Sequence, residues 1–476
     1  MAGSLMAPRG FNRLLFWKKQ DPPDPPSGGD RMRALAQNLW KNHRWATLGT
    51  AAALAAIVIA LVGYLILKRP GDKSCPAPCT IATTTGSGPV TKTVNWPLYG
   101  GNQQRTRYLD APHVKPPFTT RWMFKGRRLL EYSPIAVGGA IYGINNNGLA
   151  FSVKKHSGKA RWMRQVADRN ASAPAYSDGR LFFSNLEPGQ VIALSTHDGG
   201  MFWKRELPGR TESSPVVVGD KVIAGCECGT LYAFDAATGK TLWQTSLGGQ
   251  LKAAPAIGNG VAYIGDYSGT MSAVNISNGS IKWQSDSQGT GFAAGAFYGT
   301  AAVAFGRVYA GSKDGRIYSF NKENGDVIWS HTIGGEVYAG AAAAATPTSP
   351  PTVYFGTYGG SRFYALDARD GDERWSADVG GSVIGAASVI GDIVYVANLN
   401  TTETDGFNVA NGNKVFTFKD GAYNPVISDG RVLYLTGYKH IYALKPRTAA
   451  DVKRKAEAAK RKAKQKAKAG KKKKKK

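Results

Sequence analysis

The chain has 476 residues, with 61 Lys and Arg against 33 Asp and Glu, giving a net charge of +28. Residues 1–44 hold eight basic and three acidic residues, and 451–476 hold fifteen and two. The excess therefore sits mainly at the two ends, which excludes reading the long middle as one strongly basic surface.

Residues 1–45 read as a basic, Pro-rich, disordered cytoplasmic head. RGFNRLLFWKK (9–19) mixes large apolar side chains with four cations, which suits either an anionic membrane surface or a plain solvated segment. DPPDPPSGGD (21–30) breaks any helix and makes an extended spacer. Residues 46–67, ATLGTAAALAAIVIALVGYLIL, carry no charge. As a helix of 1.5 Å rise per residue they would span about 33 Å, enough for the hydrocarbon core of a bilayer. Eight cations precede this stretch and only Lys68, Arg69 and Lys73 follow closely, which predicts a cytoplasmic N-terminus. The lead is too long for a signal peptide and no A-x-A site follows. The expectation is one uncleaved transmembrane helix in the cell membrane, with the rest of the chain extracytoplasmic. Residues 68–94, rich in Pro, Thr, Gly and Ser, read as a flexible linker. Their CPAPC supplies Cys75 and Cys79, for which a local disulfide is expected in an oxidising compartment.

WPLYGGNQQRTRY (96–108) leads into a set of repeats. Aromatic residues recur at Trp122, Trp162, Trp203, Trp243, Trp283, Trp329, Trp375 and Phe416, spaced by 40, 41, 40, 40, 46, 46 and 41 residues. Four residues before each of the last seven stands a glycine: Gly158, Gly199, Gly239, Gly279, Gly325, Gly371 and Gly412. A tight turn with one residue at positive φ explains that preference. Ten residues before each of these aromatics the residue is small, from Ser152 and Ala193 through Gly406. In the unit SSPVVVGDKVIAGCECGTLYAFDAATGKTLW (213–243) three turns at short intervals separate four short strands. A period near 40 with four strands per unit is a propeller signature. At the far end, residues 424–446 supply three strands and no fourth, while the segment ending at Trp122 supplies one strand alone. Pairing the two closes the ring and removes a free edge. The expected fold is all-β, an eight-bladed β-propeller over residues 95–446 closed by its N- and C-terminal strands. Residues 447–476 follow as a disordered Lys-rich tail. The two spacings of 46 predict insertions before the inner strands of blades 5 and 6, in 285–300 and 334–351, at the mouth of the central channel.

The pattern x-A-[FL]-[DN]-x-x-x-G-x-x-x-W resembles the repeat of the quinoprotein-type (PQQ-like) β-propellers. That superfamily includes the quinoprotein alcohol dehydrogenases and the propeller scaffold lipoprotein of the bacterial outer-membrane β-barrel assembly machinery. The resemblance implies the fold; the architecture hosts both enzymes and inert scaffolds. It also implies that a true dehydrogenase would carry two adjacent cysteines against its quinone and an Asp/Glu/Asn set for Ca²⁺. Here Glu227 separates Cys226 from Cys228, whose redox state the sequence leaves open.

No G-x-S-x-G, H-E-x-x-H, Walker or dinucleotide-binding fingerprint is present, and no catalytic residue, metal ligand or cofactor is assigned. His156 and His197 read as solvated turn residues. At the starts of the inner strands stand Glu131 and Glu212, with Lys252 nearby. Together with Phe292, Phe297, Tyr298 and Tyr338 from the insertions, they form the candidate binding surface at the channel mouth. The expected function is a membrane-anchored, extracytoplasmic, non-enzymatic binding or scaffold module for a protein, peptide or anionic cell-envelope polymer. The Lys-rich tail adds electrostatic attraction, and no nucleic-acid partner is expected. The alternative is an oxidoreductase dependent on PQQ or a metal, with a degenerate site.

Overall fold

The computed structural model describes residues 93–289 and 295–448, with Ala450, Asp451, Lys453, Arg454 and Glu457 beyond them. The head, the expected membrane span 46–67, Cys75, Cys79, Phe292 and the tail from residue 458 lie outside the described residues. Among the described residues no helix is long and apolar enough to cross a membrane.

Eight separate antiparallel sheets form the eight blades of a propeller. Blade 3 shows why the unit folds as it does. Its strands Val216–Val218, Lys221–Gly225, Thr230–Asp235 and Thr241–Ser246 follow one another in space as in sequence. The first three are almost wholly buried, because both faces meet a neighbouring blade, and they read as near-continuous apolar runs. The outer strand keeps exposed residues on both sides of Trp243, the position where the repeat keeps an aromatic.

The repeated aromatic and the repeated glycine are two halves of one latch between blades. Each of the seven tryptophans donates its indole N–H to a backbone carbonyl in the last turn of the next blade, at 2.7–3.2 Å. The turn glycine of that next blade lies under the same ring. At Gly239 φ is +70°, and a Cβ would stand 2.5 Å from Cδ2 of Trp203. Positive φ is therefore only part of the reason for glycine; ring clearance is the rest. Gly239→Ala is expected to cost about 2–4 kcal/mol, adding backbone strain to overpacking. Gly219→Ala meets open space at φ +58° and should cost only about 1–2 kcal/mol. Urea midpoints of the two variants separate the contributions. Phe416 has no side-chain N–H to donate, and at its seam packing of Phe118 against Phe416 (5.5 Å between ring centres) takes over.

Closure runs as the sequence predicts. Strand Phe118–Lys125 pairs antiparallel with His440–Pro446, placing Trp122 opposite Ala443 and Met123 opposite Tyr442. The sheet of blade 8 is thus built from both ends of the domain.

The role of the lead-in emerges only in the folded ring. Residues 94–109 run past the inner edges of all eight blades. Val94 N–H donates to Asp429 O in blade 8, and Trp96 bridges Ala136 in blade 1. Tyr176 N–H of blade 2 donates to Pro97 O, and Gln103 Nε2 donates to Val217 O of blade 3. Ile257, Val303, Ala343 and Val389, of blades 4 to 7, donate their N–H groups to the carbonyls of Gln103, Gln104, Thr106 and Arg107. Tyr108–Leu109 then adds a parallel strand to blade 7. Polar groups on the inner edges, which would otherwise need water in the channel, are satisfied by this one segment.

One of the two expected insertions lies elsewhere. In blade 5 the inner strand Ala302–Ala304 starts late after Trp283, as predicted. In blade 6, Ala342 follows Trp329 at the same interval as Ala256 follows Trp243. The extra residues lengthen the inner hairpin, Ala342–Thr346 with Ser349–Gly356, chiefly at its turn. That turn is at the end of the channel opposite the mouth. An Ala-rich run gives no apolar/polar alternation that would place the strand within 334–351.

The tail begins differently from the disordered expectation. Thr448 caps a helical turn: its Oγ1 accepts from Asp451 N–H (3.1 Å), and its N–H donates to the Asp451 carboxylate (3.2 Å). The described positions from Ala450 to Glu457 are helical. This reciprocal cap supplies the start that the like-charged Lys run lacks.

Candidate functional site at the channel mouth

The inner strands begin on one face of the ring, and the turns between second and third strands lie on the same face. A small cavity opens there, lined by Glu131 and Tyr132 of blade 1, Lys252, Tyr298, Tyr338, Ile384, Tyr423 and Asn424, with Tyr99 of the lead-in among its walls. Its free space amounts to about 30 Å³ for the centres of water-sized atoms, room for roughly one or two waters.

Lys252 is the hub of the polar contacts. Its Nζ donates to Glu212 Oε1 at 3.0 Å and lies 3.6 Å from Glu227 Oε1. The other Glu212 oxygen accepts from Tyr298 O–H at 3.0 Å. Burial, with Glu212 beside it, pushes the Tyr298 phenol far up. Glu131 differs from both other acids. Among the described residues its carboxylate makes no ion pair, and burial and the neighbouring Glu212 push it up to about 7.

Aromatic rings continue outward from the cavity. Tyr267, Tyr298, Tyr338 and Tyr358 follow edge to face, with centres 6.3, 5.2 and 5.1 Å apart, crossing blades 4 to 6. Tyr358 at the end of this row is 42% exposed. Lys313 Nζ sits 5.3 and 5.2 Å from the ring centres of Tyr267 and Tyr338, with Glu336 at 4.0 Å.

The structure therefore brings Glu131, Glu212, Lys252, Tyr298 and Tyr338 together, as read from sequence. Phe297 is a correction. It is fully buried between blades 4 and 5, against Tyr318 and Phe320, and fills the space over Gly265. It faces the core because the backbone N–H of Phe297 is tied to Asp266 O, which turns the ring inward and leaves Tyr298 to the mouth.

Sequence reasoning missed the second–third strand turns (Glu227, Tyr267, Lys313, Tyr358) and the floor. Tyr99 O–H donates to Asn424 Oδ1 at 3.2 Å, and Asn424 Nδ2 donates to Glu131 O at 2.9 Å. Beneath, Arg105 and Arg107 are fully buried. Arg105 donates to Pro255 O (3.0 Å), Ser214 O (3.1 Å), Pro215 O (3.2 Å) and Tyr99 O. Arg107 donates to Arg105 O (2.9 Å) and Ala341 O (3.0 Å), and stacks 4.4 Å over Tyr99. Both hold backbone φ near +60°. The only available signal was the RTR spacing itself, which alone does not distinguish solvated arginines from buried ones.

The profile of the family described as outer membrane protein assembly factor BamB matches residues 119–230 and 227–455. The chain belongs to this family. A BamB relative from Burkholderia pseudomallei (strain K96243) is 31% identical over 126 residues, 24% of this chain and 32% of that protein. The chain thus spans about a third of that relative's length. The solved BamB of Moraxella catarrhalis superposes with a TM-score of 0.56 at 18% identity, over 69% of this chain and 98% of that one. The quinohemoprotein alcohol dehydrogenase of Comamonas testosteroni gives 0.62 at 14% identity, over 74% and 81%. A europium-containing methanol dehydrogenase gives 0.63 at 14%, over 75% and 98%. At these identities the likeness is one of fold. Within the BamB family fold, the site here does not fit the quinone of the dehydrogenases. Cofactor sites are typically ~300–1,000 Å³, an order of magnitude above the mouth cavity, and the lead-in fills the space below it. Cys226 and Cys228 form a disulfide around Glu227, whose carboxylate is turned to Lys252. Among the described residues no group of three His, Cys, Asp or Glu is placed to hold a metal.

Proposed function

We propose that this chain is a single-pass membrane protein whose BamB-family propeller is held outside the cytoplasm by residues 46–67. It works there as a non-enzymatic module that binds a protein partner through the channel-mouth face. The observation that carries this reading is the contrast between a channel filled by residues 94–109 and a mouth edged by a row of tyrosines ending in the exposed Tyr358. Tyrosine supplies a large contact area at low entropic cost, and it is enriched where proteins recognise one another. The Lys-rich tail adds attraction to anionic headgroups or envelope polymers that weakens as salt rises.

A photo-crosslinking residue placed at Tyr358 in cells is expected to capture one discrete protein. The same residue at Phe202, exposed on an outer strand of blade 2, is expected to capture at least tenfold less of it. Equal capture from both positions would remove the mouth as the recognition face. Extraction of the chain from membranes by alkaline carbonate would remove the anchor.

A further inference from the structure

We propose that the mouth cavity is a receptor for a single primary ammonium group, the end of a lysine side chain. The inference rests on the binding-module reading above and names the chemistry its mouth would recognise. Two carboxylates, Glu212 and Glu227, hold the ammonium of Lys252, and a third, Glu131, lines the same cavity beside Glu212. Lys252 is committed to Glu212 and Glu227, and among the described residues the Glu131 carboxylate makes no ion pair. Among the described residues, the cation that acts on it is Arg169, whose guanidinium is bonded to Glu187 at 3.1 Å on the surface. In a chain of net charge +28, this is a local acidic pit.

Its walls are aromatic. Tyr99, Tyr132, Tyr298, Tyr338 and Tyr423 surround the space beside Glu131, and a ring face attracts a cation by about 0.5–2 kcal/mol. About 30 Å³ for the centres of water-sized atoms leaves room for the compact end of a lysine side chain. One free carboxylate falls far short of the six to eight oxygens a calcium ion takes. A neighbour on the same face already shows the mode. Lys313 lies between the rings of Tyr267 and Tyr338 with Glu336 at its end; at the mouth a carboxylate, Glu131, again stands among tyrosine rings.

Two sources can supply the lysine: a partner protein, or the chain's own tail, which carries fifteen cations in residues 451–476. The test is titration of N-acetyl-lysine methylamide into the full chain and into a chain ending at Thr448, with N-acetyl-norleucine methylamide as the control lacking the ammonium. The lysine probe is expected to bind at least tenfold tighter than the norleucine probe, and Glu131→Gln to abolish that difference. Tyr338→Leu should weaken lysine binding several-fold. An ammonium favours ionised Glu131, whose carboxyl protonates below about 7. Affinity should therefore rise by up to about tenfold per pH unit toward 7 and level above it. Glu212 and Arg169 also act on this group, and Lys252, Tyr132 and Tyr423 line the same cavity, so the Glu131→Gln variant must flatten the profile. Tighter probe binding by the shortened chain supports the site with the tail as its occupant, and equal binding supports it with a partner's lysine. Equal affinity for the two probes, or lysine binding indifferent to Glu131→Gln, overturns the proposal. If the probe fails while crosslinking from Tyr358 persists, this inference falls and the binding-module reading stands.

Discussion

A chain that starts at Gly126 is expected not to close into a ring. It lacks strand Phe118–Lys125, which pairs along its length with His440–Pro446, and the Trp122 latch to Lys155 O of blade 1. It also lacks the lead-in that ties the inner edges of all eight blades. Truncating one buried tryptophan typically costs ~3–5 kcal/mol. Adding an open ladder and the unsatisfied groups of the inner edges exceeds the ~5–15 kcal/mol that domains possess. The expected product has no cooperative melt and aggregates through the exposed edge of blade 8. Fusing residues 118–125 behind Arg447 through a short turn should restore a melting transition, at a lower temperature than the intact chain. Pro446 already lies opposite Phe118, so a hairpin suits that junction. A fragment from Gly126 that melts as the intact chain does would refute the account of closure.

Arg105→Met is expected to destabilise the domain by about 3–5 kcal/mol, read as a lower urea midpoint. Methionine keeps most of the volume but donates nothing, so the carbonyls of Tyr99, Ser214, Pro215 and Pro255 are left buried, at about 1–3 kcal/mol for each orphaned group. Part of that loss is offset, because burial and the adjacent Arg107 already push Arg105 down from its ordinary value and the substitution ends the burial of a cation. Arg107→Met should cost less. Arg107 serves two carbonyls, and among the described residues its Nη2 has no hydrogen-bond partner. An unchanged midpoint for Arg105→Met would mean that relief of charge burial matches the lost bonds.

The sequence by itself determined the ring. A turn that needs positive φ and clearance for a ring forces glycine, and an indole that must fill a seam and donate one N–H forces tryptophan. Both requirements recur at seven of the eight seams, so Gly239 and Trp203 are legible as members of a series. The same regularity located Glu131, Glu212 and Lys252, because equivalent positions of a repeat occupy equivalent places on the ring, and it paired the two unmatched ends. Only the tertiary structure decided what happens where the repeat stops. The lead-in has no periodicity, so its contacts with eight blades and the burial of Arg105 and Arg107 follow from the channel they enter, not from their neighbours in sequence. Phe297 and Tyr298 are adjacent and alike in composition, yet one is core and the other site. The backbone bond from Phe297 to Asp266 sets which way each ring turns. The row from Tyr267 to Tyr358 joins three blades and is built from turns far apart in sequence. Its spacing is a property of the ring's curvature, which no single repeat contains.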